Sequence, residues 1–168
     1  MPTLRDAVDD FLAQQRIAVV GVSRSPKEAA NAIYRKLRAA GYTVFAVNPK
    51  ADAVEGDPCY PDLAALPDRP DGVVVVTPPE AAADIVRTCA DLGIGRVWMH
   101  RGMGPGSVSD EATALGRERG LTVIPGACPM MFVEPVDGAH TCIRWLQKLT
   151  GKLPTPVAPT ERPLDASA

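Results

Sequence analysis

Two periods of hydrophobic positions alternate along this chain. Ile17 to Val20, Thr43 to Val47, Gly72 to Val76, Arg96 to Met99 and Leu121 to Ile124 are short, nearly continuous apolar runs rich in β-branched residues. That is the pattern of strands buried on both faces. Between them, apolar residues recur at spacings of three and four: Ala30, Ile33, Tyr34 and Leu37; then Ala82, Ile85, Val86, Cys89 and Leu92; then Ala112 and Leu115 after Ser109; and last Ala139, Cys142, Ile143, Leu146 and Leu149. These predict helices with one face on a sheet. A further short helix over 3–14 opens on Thr3-x-x-Asp6, a variant capping box, and places Leu4, Val8, Phe11 and Leu12 together. Residues 51–71 are rich in Pro and Asp with one apolar piece, Leu63 to Leu66. They predict an irregular connection with a single helical turn.

Strands alternating with helices imply a parallel sheet with right-handed crossovers. The expected fold is therefore α/β: a Rossmann-like, doubly wound, five-stranded parallel sheet, order 3-2-1-4-5, with flanking helices, over residues 1–154. Residues 155–168, with repeated prolines and small side chains, predict a flexible tail. In that order the topological switch falls between strands one and four, and a ligand belongs at the carboxyl ends of the strands.

Four loops should meet there. The first, Gly21-Val-Ser-Arg-Ser-Pro-Lys27, joins the first strand to the first helix, with Ser25 read as the helix cap and Pro26 as its first residue. Such a turn offers backbone N–H groups and a helix dipole to a phosphate. The others are Val47-Asn-Pro-Lys50, Thr77-Pro-Pro-Glu80 and Met99-His-Arg-Gly102. Together they bring Arg24, Lys27, Lys50 and Arg101 with the hydroxyls of Ser23, Ser25 and Thr77, while Gly21, Pro49, Pro78 and Pro79 clear or stiffen the backbone. A solvated rim explains any one of these cations; four gathered at one edge predict a site for an extended polyanion carrying an adenosine. The turn reads Gly-x-Ser and lacks the second and third glycines of a dinucleotide fingerprint. Where a NAD site wants a carboxylate for the ribose, this chain has Asn48-Pro49-Lys50. A lysine suits a phosphorylated ribose, so coenzyme A or NADP fits better than NAD.

Composition narrows the partners. The 168 residues are 46% apolar and 23% charged with net charge −2, a globular make-up with no footprint for nucleic acid or an anionic membrane. No apolar run reaches the length of a membrane span, and the N-terminus lacks a signal-peptide core, so a cytoplasmic protein is expected. Cys59, Cys89, Cys128 and Cys142 form no C-x-x-C pair, which argues against zinc and for free thiols. His100, at a strand end, is the best candidate for acid–base chemistry, but no partner for it is visible. Cys128 reads as a buried thiol or as a nucleophile, and Glu134 and His140 as rim or pocket-mouth residues. Trp98 and Trp145 belong to the core or to an oligomer surface. The apolar run Met130 to Val133 covers a ligand arm, a partner, or the underside of the last helix.

Taken together, Val19-Val-Gly-Val-Ser-Arg, Asn31-Ala-Ile-Tyr-Arg-Lys-Leu, Gly41-Tyr-Thr-Val, Val47-Asn-Pro-Lys, Cys59-Tyr-Pro-Asp-Leu, Val76-Thr-Pro-Pro-Glu, Val97-Trp-Met and Ala127-Cys-Pro resemble the small stand-alone CoA-binding proteins. Those in turn are similar to the CoA-binding domain of the succinyl-CoA synthetase alpha subunit. The likeness extends through Arg144-Trp and Gly151-Lys-Leu-Pro. It departs at Ala29-Ala-Asn31, where similar members read Phe-Gly-Asn, and at His100, near which they carry a glutamine. The resemblance implies a Rossmann-like CoA-binding fold. It assigns Gly21, Ser23 and Arg24 to the phosphates, Asn31 to the first crossover helix, Val47, Asn48 and Lys50 to the adenosine and ribose phosphate, and Thr77, Pro78 and Pro79 to the opposite wall. The synthetases also use a phosphohistidine domain and a second subunit, so reaction chemistry does not follow from the binding fold.

The resulting expectation is a protein that binds coenzyme A or an acyl-CoA without catalysis, as a carrier or regulator. The alternative is an NADP-dependent oxidoreductase using the same edge. Expected ligand contacts are Gly21, Val22, Ser23, Arg24, Lys27, Asn31, Val47, Asn48, Pro49, Lys50, Thr77, Pro78, Pro79, Met99, His100 and Arg101. No catalytic or metal-binding residue is assigned, and a second copy or a protein partner stays open.

Overall fold

The computed structural model describes residues 2–159 of the chain. Helix α1 (Leu4–Leu12) starts as its sequence predicts: the Thr3 hydroxyl accepts from the Asp6 N–H while the Asp6 carboxylate accepts from the Thr3 N–H. Strand β1 (Arg16–Val20) follows, and its side chains divide between two cores. Ile17 and Val19 pack with Val8 and Phe11 of α1 and with Ile33 and Leu37 of α2 (Ala29–Ala39). Ala18 and Val20 pack on the other face with Val86 and Cys89 of α3 (Ala82–Asp91) and Ala112 of α4 (Asp110–Glu118). A period of two with both faces apolar puts helices on both sides of the sheet.

The remaining strands are β2 (Thr43–Val47), β3 (Ala53–Val54), β4 (Asp57–Tyr60), β5 (Gly72–Val75), β6 (Arg96–Met99) and β7 (Thr122–Pro125), followed by α5 (Gly138–Leu149). They form one seven-stranded sheet in the order β3-β4-β2-β1-β5-β6-β7, parallel except for the antiparallel pair β3–β4. All five expected strands are present, but the expected count and order are wrong: among those five the order is 2-1-3-4-5. The cause lies in the stretch read as irregular. Residues 53–60 fold into a hairpin whose second strand pairs with β2 through Ala46–Cys59 and Val47–Tyr60. It takes the place beside β2 in which Gly72–Val75 was expected, and β5 pairs instead with the free side of β1, Val19 opposite Val74. The switch therefore lies between β1 and β5. The helical turn expected near Leu63 is present as a short 3-10 turn, Leu63–Ala65, capped by Asp62.

Two helices also differ from expectation. Helix α2 starts at Ala29, with Glu28 preceding it and no side-chain cap; Ser25 and Pro26 belong to a longer loop. The Ser25 N–H donates to the Ser23 hydroxyl, 3.1 Å, which holds that stretch out of the helix. Helix α5 spans the expected residues but turns most of the expected face outward: Leu146 and Leu149 are 55% and 64% exposed, and Trp145 is 62% exposed. Of the expected face, Ile143 is docked. It packs on the α1–α2 core, and Arg144 donates to the Met131 carbonyl, 2.9 Å, with its guanidinium over the Phe132 ring. Trp98 is fully buried, edge-on to Phe11 at 5.4 Å, and its indole N–H donates to the Gly126 carbonyl, 2.9 Å. Beyond the helix, Val157 exchanges two backbone hydrogen bonds with Val123, inside the stretch read as a tail; residues 160–168 of that stretch lie outside the described residues.

Candidate functional site

The observed order sets the carboxyl ends of β2, β1, β5 and β6 side by side. Backbone and side-chain hydrogen bonds then tie their loops into one edge. The Gly21 N–H donates to the Val47 carbonyl (2.9 Å), the Asn48 amide to the Val22 carbonyl (2.9 Å), and the Thr77 N–H to the Ser107 hydroxyl (2.9 Å). The His100 N–H donates to the Val75 carbonyl, 2.9 Å. Gly21 sits at φ 108°, and a Cβ there would lie 2.0 Å from the Val76 carbonyl oxygen. The residue is glycine because the turn rests directly on the end of β5.

Asn31 shapes the turn. It is 1% exposed, its Oδ1 accepts from the Ser23 N–H (2.9 Å), and its Nδ2 donates both to the Ser23 carbonyl (2.7 Å) and to Glu55 Oε1 (2.7 Å). Both of its amide donors and one acceptor position are spent inside the protein, so it acts on the edge through Ser23. Asn48 braces the neighbouring loop in the same way, its Oδ1 accepting from the Lys50 N–H, 2.9 Å. Among the described residues, the N–H groups of Val22, Arg24 and Lys27 have no acceptor, which leaves donors on the turn for an incoming anion.

The expected contact residues separate into three groups. Arg24, Lys27, Pro49, Lys50, Pro78 and Arg101 are exposed on the four loops, and Ser23, Asn48, Thr77, Pro79 and His100 are half-buried beside them. Val22, Val47 and Met99 are buried, with side chains in the two cores; only their backbone can face a ligand. Among the described residues, none of Arg24, Lys27, Lys50 and Arg101 forms an ion pair. Arg101 makes only a long hydrogen bond to the Gly104 carbonyl, 3.2 Å.

Two cavities flank the first turn of α2. One, about 260 Å³, has a mixed polar and apolar lining and is bounded by Ser23, Arg24, Asn31 and the β3–β4 turn. Glu55 in that turn has φ 51° and Gly56 has φ 81°, the pair of left-handed conformations a two-residue hairpin needs. For a glutamate this is a strained backbone, and the Arg35 guanidinium and Asn31 hold its carboxylate, 2.7 Å each. Sequence reasoning missed Glu55 because Glu-Gly is not among the usual hairpin signals, and missed Ser107, 2% exposed, because nothing in its loop marks it. The second cavity, about 310 Å³, joins residues read separately: His100, Cys128 and His140 share its lining with apolar side chains. Burial holds the His100 imidazole below its ordinary pKa and pushes the Cys128 thiol up. His140 Nδ1 lies 2.6 Å from the Asp137 carboxylate, whose pKa is lowered chiefly by the backbone N–H of His140. All four cysteines are free thiols. Among the described residues no cluster could hold a metal ion, and no helix is long and apolar enough to cross a membrane.

The fold is a doubly wound α/β domain with four cations unpaired among the described residues near its switch point. Within that fold class the chain belongs to the CoA binding domain family, whose model matches residues 15–134. It is 28% identical to the uncharacterized protein YneT of Bacillus subtilis over 127 residues, 76% of this chain and 91% of that one. It is 36% identical over 73 residues to an ADP-forming acetate–CoA ligase of Archaeoglobus fulgidus, 44% of this chain but 11% of the ligase. The chain thus spans a small part of such a ligase. Among solved structures, a hypothetical protein from Pyrococcus horikoshii superimposes with a TM-score of 0.72 at 29% identity, over 79% of this chain and 90% of that one.

Proposed function

We propose that this chain binds coenzyme A, free or acylated, across the carboxyl edge of β2, β1, β5 and β6, and that it acts as a binding or regulatory protein rather than a catalyst. One observation carries the reading: among the described residues, four cations on three of the hydrogen-bonded loops stand without carboxylate partners around a turn with free N–H donors. In a chain of the CoA binding domain family, that edge suits a ligand with a diphosphate and a separate ribose phosphate. The diphosphate meets Ser23, Arg24 and Lys27. The 3′-phosphate meets Lys50, and the adenosine lies between Asn48-Pro49 and the Thr77–Pro79 wall. Reaction chemistry has little support, because a nucleophilic cysteine needs a lowered pKa and burial moves Cys128 the other way.

Calorimetric titration of nucleotide-stripped protein with CoA, dephospho-CoA, NADP and NAD tests this. CoA binding without NADP binding is expected, and Ser23→Trp, which fills the turn, should abolish it. NADP binding alone would overturn the assignment. Unchanged CoA affinity in Ser23→Trp would place the ligand elsewhere.

A further inference from the structure

The apolar cavity of about 310 Å³ between α2, the β6 loop and α5 has no part in holding a nucleotide. We infer that it receives the acyl group of an acyl-CoA, a straight or branched chain of medium length, with His100 donating to the thioester carbonyl. The inference rests on the proposed CoA site and adds a chain-length preference to it.

Position is the first argument. Ala29 and Ala32, on the first turn of α2, line the cavity, and the phosphate loop Ser23–Lys27 runs directly into that helix. The cavity also takes in His100 and Gly102 of the β6 loop, so it opens on the same edge as the phosphate loop, within the span of the flexible arm that separates a diphosphate from its thioester. The second argument is the lining. Ile33, Met130, Met131 and Ile143 supply its walls, and methionines adapt to chains of different shape. Met103, also in the lining, is 96% exposed. It is an apolar side chain left in water at the mouth, where an entering chain would cover it.

The third argument is polarity. A ligand pocket of this kind places few polar groups among apolar walls. His100 has no hydrogen-bond partner for its ring among the described residues, and Asp137 engages His140 through Nδ1. Burial keeps the His100 ring neutral at pH 7, so it presents one N–H donor without a charge, which suits a thioester carbonyl. On a yardstick of about 30 Å³ per water-sized group, the space holds about ten such groups. That fits the thioester with about six carbons of chain, and is too small to enclose a long fatty acyl group.

The test is calorimetric titration of the intact protein with CoA, acetyl-, butyryl-, hexanoyl- and palmitoyl-CoA. Affinity should rise by about fourfold per added methylene, the value of a buried CH₂, up to about hexanoyl and fall at palmitoyl. Ala32→Phe, which fills the cavity from α2, should bring the ratio of hexanoyl-CoA to CoA affinity close to one. Ile143→Trp does the same from α5 and guards against a folding defect in the first variant, with circular dichroism on both. If CoA binds but all acyl forms bind equally or more weakly, the acyl pocket is wrong and the CoA site stands. If neither CoA nor any acyl form binds, both readings fall.

Discussion

The two ends of the sheet treat their cations differently. At the amino end, each arginine that starts a strand has a carboxylate. Arg16 at the start of β1 donates through Nε (3.3 Å) and NH2 (2.8 Å) to Asp71, which also accepts from the Arg16 N–H, 3.0 Å. Arg96 at the start of β6 makes a two-pronged pair with Asp10 of α1, 2.7 and 3.1 Å. Elsewhere Arg35 pairs with Glu55 and Arg38 with Asp57. At the carboxyl end, Arg24, Lys27, Lys50 and Arg101 have none among the described residues. Basic residues serve both ends; the difference is whether the fold supplies the counter-charge or leaves it to a ligand. Partnering, not charge, separates the structural cations from those proposed to bind.

The sharpest way to break this comparison is to remove the carboxyl end's internal brace. Asn31→Ala strands the Ser23 N–H and carbonyl and leaves the Glu55 carboxylate to Arg35 alone, and should cost about 2–3 kcal/mol of stability. In urea unfolding, a smaller loss would mean that the loop holds its shape without Asn31. CoA affinity should fall with it, by an order of magnitude or so, since Ser23 loses its orientation.

Next comes Lys50→Glu, which reverses a charge at the proposed ribose phosphate. A charge-assisted hydrogen bond is worth about 1.5–3 kcal/mol, so CoA should bind about ten- to a hundredfold more weakly while dephospho-CoA changes little. Equal losses for the two ligands would remove Lys50 from that role.

The smallest effect belongs to the amino end. Asp71→Ala should lower stability by about 1 kcal/mol and leave CoA affinity within about twofold. Hydrogen bonding from Arg16 holds the Asp71 carboxyl below its ordinary pKa. A carboxylate with a folded pKa below its unfolded value of about 3.9 contributes fully above that value, and the contribution fades as pH falls through the folded pKa. The urea midpoints of Asp71→Ala and the natural protein should therefore differ at pH 6 and converge as the solution is acidified below pH 4. A difference that persists in acid would show that Asp71 acts through packing instead.

How much of this the sequence discloses depends on where the information sits. Strands β1, β2 and β5 are legible because Ala-Val-Val, Val-Phe-Ala-Val and Val-Val-Val-Val need burial on two faces. Strand β4 is not. Asp57-Pro-Cys-Tyr60 buries only Cys59 among its four residues, shows no period, and contains a proline that a ladder normally rejects. It is held from outside, by β2 on one flank and by Tyr34 and Arg38 on Asp57 at 2.8 and 2.5 Å. Missing one short strand was enough to misplace β5, since strand order follows from which flank of β1 stays free. The site suffered less, because the loops at one edge are the same four in either order. The long loop before α2 was misread because Ser-Pro is a good helix start by local chemistry, and the Ser23–Asn31 contact that overrides it spans eight residues. The outward face of α5 was illegible too: its apolar stripe looks the same whether or not its own domain covers it.

Gly21 has one more consequence. Its missing Cβ would fall 2.0 Å from the Val76 carbonyl oxygen, so any other residue there would pry the first and third predicted strands apart before a ligand could arrive. The glycine that looks most like a binding signature is thus a hinge pin of the architecture. A relative that had lost every ligand would still have to keep it. Lys50 is exposed and forms no ion pair among the described residues, so the sheet can lose it without losing its shape.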